Sequence, residues 1–173
     1  MTIKLITPTT EHLEQLATYR DEFLISAHHI DGAPEFANAT SVEQWLVDVE
    51  NNRHWETVQE GWIPAEQYIA VDEQQTIVGM LNLRKALNDY LRNYIGHIGY
   101  SVAPSKRRQG LGTRILQLAL SEAKKLGLQK VLVTCADDNI ASAKVIEQNG
   151  GVLEDKRLDP GDGKLTRRYW ITL

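Results

Sequence analysis

A strand, a basic glycine loop and a helix follow one another without a gap from Gly99 to Leu126 (GYSVAPSKRRQGLGTRILQLALSEAKKL), and they constrain this chain most. Ile98, Tyr100 and Val102 alternate with smaller residues, as a half-buried strand does. Pro104 stops that strand, because it has no N–H to give to a sheet. Ser105 to Gly112 then pack Lys106, Arg107 and Arg108 and two glycines into eight residues. From Leu111 the apolar spacing becomes helical through Ile115, Leu118, Ala119 and Leu126, and Gly127 stands where a helix C-cap glycine belongs. Glycines let the backbone turn its N–H groups inward, and the following helix adds its positive end. Arginines can grip phosphate oxygens from outside. This stretch alone predicts capture of a phosphate-bearing ligand.

The rest of the chain narrows the class. Its 173 residues suit one domain, residues 1–173, with a single core. Apolar content of 42% and charged content of 24% are those of a soluble globular protein. No apolar run approaches the roughly 20 residues that span a bilayer, and MTIKLITPTT lacks the features of a signal peptide, so no membrane partner is expected. Cys135 is the sole cysteine, which leaves no disulfide framework and no thiolate cluster. His12, His28, His29, His54 and His97 have no metal-ligand spacing, so no metal is expected. A reducing, cytoplasmic setting is the simple reading.

Charge is unevenly spread. Asp21 to Glu73 hold twelve acidic residues and one basic residue, Arg53; Lys106 to Lys130 hold seven basic residues and one acidic, Glu122. A nucleic-acid binder needs a wide positive face, and one local basic patch does not supply it, so no nucleic-acid partner is expected. The patch suits a compact polyphosphate, and the acidic half suits a cationic partner. A Walker-type nucleotide loop is set aside because Gly112-Thr113-Arg114 lacks its lysine.

Read in order, Ile3–Thr7 predicts a strand, and Thr9 to about Ala27 a helix capped by Thr9 or Thr10. His28–Ala39 is a loop, and Thr40 to about Glu50 a helix with capping boxes at Thr40-x-x-Glu43 and Ser41-x-x-Gln44. Gln67–Asp72 and Thr76–Arg84 form a hairpin, and Leu87–Asn93 a connector. Beyond the loop and its helix, Lys130–Cys135 is a central strand buried on both faces. A helix then runs from Asp137-Asp138-Asn139 to Asn149, and a last hairpin spans Val152–Leu158 and Thr166–Leu173. The order β-α-α-β-β-β-α-β-α-β-β predicts an α/β fold, a mixed sheet with helices on both faces.

On these residues the chain resembles the GNAT superfamily of acyl-CoA N-acyltransferases. Arg107-Arg108-Gln109-Gly110-Leu111-Gly112 fits the superfamily's Arg/Gln-x-x-Gly-x-Gly/Ala loop. Thr76–Arg84 resembles its third strand, and Gly99–Pro104 its fourth. Asn139-x-x-Ser142 with Ile146-Glu-Gln-Asn-Gly150 resembles its second cofactor-contacting helix. The resemblance implies acetyl-CoA as co-substrate and a GNAT fold whose fourth and fifth strands splay apart. The pyrophosphate would lie on backbone N–H groups from Gln109 to Thr113, across Gly110, Leu111 and Gly112, with Arg107 and Arg108 beside it. Val102 and Asn139 would hold the pantetheine arm. A main-chain N–H near Tyr100 to Val102 would polarise the thioester carbonyl.

The resemblance also implies direct acetyl transfer to a primary amine, on a small molecule or a peptide N-terminus, by a monomer or homodimer. The acidic first third favours a cationic acceptor, and His28-His29 with Trp55 and Trp62 are candidates to line its pocket. Ile146 stands where many members carry an acid tyrosine. Catalytic candidates are therefore Ser142 near the thiolate, His97 as base and Tyr100 as proton donor or orienter. Because the usual tyrosine is missing, a catalytically silent acyl-CoA-binding module is the alternative.

Overall fold

The computed structural model describes residues 1–173. The strands are β1 (Lys4–Ile6), β2 (Ala65–Val71), β3 (Ile77–Arg84), β4 (Ile98–Val102), β5 (Lys130–Ala136), β6 (Val152–Leu158) and β7 (Leu165–Thr172). The helices are α1 (Leu13–Leu24), α2 (Val42–Asn51), α3 (Leu111–Lys125) and α4 (Ile140–Gln148). All seven strands join one sheet in the order β1-β2-β3-β4-β5-β7-β6. Every neighbouring pair is antiparallel except β4 and β5, which run parallel across the α3 crossover. The mixed α/β architecture and the order of elements are those the sequence predicts.

The sheet has two covered faces because its central strands alternate. Leu81 and Leu83 of β3 and Ile98 of β4 pack with Leu111, Ile115 and Leu116 of α3 and with Ala143 and Ile146 of α4. Met80 and Ala103 turn to the other face, against Leu16, Tyr19 and Phe23 of α1 and Val42 and Trp45 of α2. A bulge at Ala70/Val71 shifts the β2–β3 register where Ile77 and Val78 take opposite faces. The β5 run Val131, Leu132 and Val133 is fully buried, as a strand covered on both faces must be.

Local chemistry sets the ends. Thr9 accepts from the Glu11 N–H and opens a 3-10 turn at Thr10–His12, so α1 proper starts later than the sequence predicts. It also ends earlier, at Leu24, where the N–H groups of Ser26 and Ala27 fold back onto the Phe23 carbonyl. Ser41, rather than Thr40, caps α2 by accepting from the Gln44 N–H at 3.0 Å. The connector before β4 contains a π turn at Leu91–Ile95. Its carbonyls are satisfied from distant strands: Thr134 donates to Tyr94 and Ile95, and Arg168 donates twice to Arg92. Partners so far away in sequence leave no local signal.

One loop residue ties the helical layer to the site. Gly32, between α1 and α2, lies on β4 with φ 76°. A Cβ there would sit 2.7 Å from the Tyr100 Cα, 2.8 Å from the Gly99 carbonyl oxygen and 2.9 Å from that of Met80. All three are backbone atoms and cannot give way. Gly32→Ala is therefore expected to cost roughly 2–4 kcal/mol, adding left-handed strain to overpacking. Urea unfolding measures it, and an unchanged midpoint would contradict this packing.

Candidate active site

The site begins where β4 and β5 part. The two strands share one register pair, Ile98 with Val133, next to an isolated bridge between Gly96 and Val133. β4 stays paired with β3 along its whole length, and β5 stays paired with β7. The phase of the β3 ladder follows from two bonds, Ala103 N–H to the Val78 carbonyl and Arg84 N–H to the His97 carbonyl. It turns Gly99 and Ser101 toward β3, and Ile98, Tyr100 and Val102 toward β5. Beyond Ile98, the main-chain groups of Tyr100 and Val102 face the parting strands outside any ladder.

At the far end of the gap the basic loop forms an anion cradle. Arg108 (φ 63°) and Gly110 (φ 76°) are both left-handed, which turns successive N–H groups to one side. Gly110 is the N-cap of α3 and offers no side-chain cap. The N–H groups of Arg108, Gln109 and Gly110 make no hydrogen bond within the protein, and those of Leu111, Gly112 and Thr113 are the uncapped first turn of α3. Gly112 faces the gap: a Cβ there would lie within 3.8 Å of Val145, Tyr100 and Val102, so its absence leaves space between α3, α4 and β4. Arg107 bends back, its Nε 3.4 Å from the Val102 carbonyl and its guanidinium over the Phe23 ring. α3 and α4 are braced here by Thr113 donating to Gln148 and Asn149 donating to the Thr113 carbonyl. Asn139 caps α4 by accepting from the Ser142 N–H at 3.1 Å, which leaves its Nδ2 without a protein partner.

Two of the expected catalytic side chains meet beside the gap. The Tyr100 hydroxyl and the Ser142 hydroxyl are 3.0 Å apart. Burial raises the Tyr100 pKa to about 12, so the phenol keeps its proton at neutral pH. Cys135 lies next to Ser142, and burial pushes its thiol up as well. Ile146 is fully buried in the core under α4 and has no polar role.

His97, expected as the base, has a different task. Its Nδ1 accepts the Leu132 N–H at 2.9 Å, and its own N–H donates to the Leu132 carbonyl. The ring thus clips β4 to β5 just ahead of the split, with Nε2 carrying the proton. Burial, with Arg84 and then Arg92 nearby, lowers its pKa to about 4. An imidazole whose acceptor nitrogen is engaged and whose protonation is opposed is structural, and this corrects the sequence expectation.

The opposite face of the sheet holds a cavity of about 550 Å³, within the size range of small-ligand sites. Pro34, Glu35, Trp45 and Asp48 border it above, and Gln67, Asn82 and Arg84 line it from the sheet. Asn82 is in register with Gly99, one residue from Tyr100. Trp62 lines it; Trp55 and the exposed His28 and His29 do not, and His29 turns to Asp31. Sequence reasoning missed Gln67, Asn82 and Arg84. For Asn82 and Arg84 the signal is present in MLNLR, where polar residues at two-residue spacing share one face of an apolar strand.

The sequence profile of the Acetyltransferase (GNAT) family matches residues 35–151, most of the chain, from Glu35 in the α1–α2 loop through α4. The chain belongs to the GNAT acetyltransferase family. Among solved structures, the GNAT fold is shared with RimL, a ribosomal L7/L12 alpha-N-protein acetyltransferase in complex with coenzyme A (TM-score 0.74, 22% identity, covering 100% of this chain and 95% of that one). An acetyltransferase from Salmonella typhimurium that modifies the N-terminal serine of ribosomal protein L7/L12 is similar too (0.70, 21%, 100% and 96%). So is a chimera of the Vibrio cholerae spermidine N-acetyltransferase SpeG (0.69, 17%, 99% and 96%). No curated protein matches the chain. GNAT acetyltransferases use acetyl-CoA, and this enzyme's residues fit it. The open gap and the run of unpaired N–H groups are the features a polyphosphate-tailed thioester requires.

The His97 clip carries a pH dependence. Its folded pKa lies below the unfolded value near 6.5, so its contribution is complete above pH 6.5 and is lost as pH falls toward 4. A shift of this size corresponds to roughly 3 kcal/mol. Unfolding free energies at pH 7 and pH 4.5 should differ by less in His97→Gln than in the native chain. Equal differences would contradict the assignment.

Proposed function

We propose that this acetyltransferase moves the acetyl group of acetyl-CoA directly to a primary amine of a small molecule or a peptide N-terminus. The observation that carries the reading is the Tyr100–Ser142 hydroxyl pair beside the β4–β5 gap. When bound, acetyl-CoA supplies an activated thioester. The backbone N–H groups from Gln109 to Thr113, with Arg107 and Arg108, would hold its phosphates; Val102 and the free Nδ2 of Asn139 would hold its arm. A main-chain N–H of Tyr100 or Val102 would stabilise the charge that develops on the thioester oxygen. Tyr100 Oη keeps a proton at neutral pH and Ser142 Oγ extends its reach, so the pair can protonate the departing sulfur. The amine comes from the cavity on the other face, where the carboxylates of Glu35 and Asp48 attract an ammonium. It gives one proton to water before attacking as the neutral amine, and the second, lost on acylation, restores the Tyr100–Ser142 pair. With both reactants held on one sheet, proximity supplies much of the rate.

The direct test follows free thiol release from acetyl-CoA over a panel of amines. Tyr100→Phe and Ser142→Ala should each lower kcat about 100-fold, as loss of a general acid does, with little change in CoA affinity. Because the two hydroxyls act as one unit, the double variant should be no worse than the poorer single variant. Tight CoA binding without thiol release on any amine would instead support a silent acyl-CoA-binding module.

A further inference from the structure

The cavity is lined by two groups that lack the partners their chemistry requires. The first is Asn82. Gln67 Nε2 donates to the Gly32 carbonyl at 2.7 Å and to the Leu81 carbonyl at 3.0 Å, which fixes Gln67 Oε1 as an acceptor. Asn82 Nδ2 therefore donates to it, at 3.1 Å, and Asn82 Oδ1 is left buried with no donor. A buried acceptor without a donor is unusual in a native interior, and a donor on a ligand in the cavity would satisfy it.

The second is Arg84, two residues along the same face and roughly 7 Å away. Its Nη1 donates to the Gly96 carbonyl at 3.3 Å, and no carboxylate pairs with it. The neighbouring charges are already used: Glu66 takes both Lys85 and Arg53, and Glu50 takes Arg53 and His54. Burial alone lowers the Arg84 pKa to about 10, and no negative group offsets it. A guanidinium half-buried beside a cavity without a counter-ion costs free energy that an anionic ligand would return. Its planar fork matches a carboxylate.

We propose that the acceptor is zwitterionic, an amine of amino-acid size whose carboxylate is bound by Arg84 and whose amine donates to Asn82 Oδ1. The order along the strand is the productive one. Asn82 is in register with Gly99, so the amine end lies one strand from the β4–β5 gap, nearer to it than Arg84 does. Arg84 lies toward the π turn and away from it. Glu35 and Asp48, both exposed, border the cavity, so they draw in the ammonium without neutralising Arg84. The acidic first third of the sequence then selects one end of the acceptor, and Arg84 selects the other. This inference rests on the acetyl-transfer reading for the amine's fate, but not for the binding of the carboxylate.

The test compares free amino acids with their carboxamides and their decarboxylated amines, in thiol release and in thermal stabilisation of the CoA-loaded protein. Acids should exceed their amides at least about tenfold in kcat/KM, the scale of one charge-assisted hydrogen bond. Arg84→Gln should remove that preference. So should Asn82→Asp, which gives Arg84 an internal counter-ion and guards against a Gln variant that fails to fold. Turnover without an acid preference, or a preference that survives in both variants, overturns the proposal while acetyl transfer stands. Acid-specific stabilisation without thiol release keeps the proposal and overturns the transfer reading. The absence of both the preference and the stabilisation overturns the proposal.

Discussion

The clip between His97 and Leu132 is the constraint on which the site depends. Parallel strands joined by a helical crossover ordinarily pair along their length. Here β4 is held to β3 and β5 to β7 by full ladders, while β4 and β5 meet only at Ile98 and Val133. The imidazole and main chain of His97 make two bonds to Leu132 at that junction and close one end of the gap. Everything beyond it is free to open. A neutral ring is needed there, and burial beside Arg84 and Arg92 keeps it neutral.

Opening the sheet from one end sorts the chemistry by face. On the α3/α4 face stand the uncapped helix start, the Asn139 cap and the Tyr100–Ser142 pair. On the α1/α2 face stand the cavity, the donorless Asn82 Oδ1 and an Arg84 with no carboxylate partner. Gly32 lies directly over β4 between these, and its lack of a side chain lets the α1–α2 loop reach the backbone beside Tyr100. The proposed seats for donor and acceptor thus lie on opposite faces of the sheet. A direct transfer needs that arrangement, since the two reactants then meet without displacing each other.

How much of this was legible in the sequence depends on the range of the interactions. The element order, the glycine loop and the Asn139 cap are written in local patterns, and each stands where those patterns put it. Tyr100 and Ser142 were separate candidates, and their contact is a tertiary fact between β4 and α4. His97 was misjudged because a titratable side chain at a strand start looks the same whether its ring faces a ligand or a neighbouring backbone N–H. The π turn at Leu91–Ile95 was invisible because Thr134 and Arg168 satisfy its carbonyls from β5 and β7. Arg84 was overlooked for a related reason: a charge matters here through the absence of a partner, which only three dimensions reveal.

The central claim is that the gap beyond the His97 clip and the loop at Arg108–Thr113 form one continuous seat for CoA. Titrating the labelled protein with CoA and following its backbone amide resonances tests this most directly. The account predicts the largest shifts at Tyr100, Val102 and Gln109 to Thr113, with β1 and β2 unmoved. Saturable CoA binding that leaves those amides unchanged and perturbs the α1/α2 face instead would contradict it.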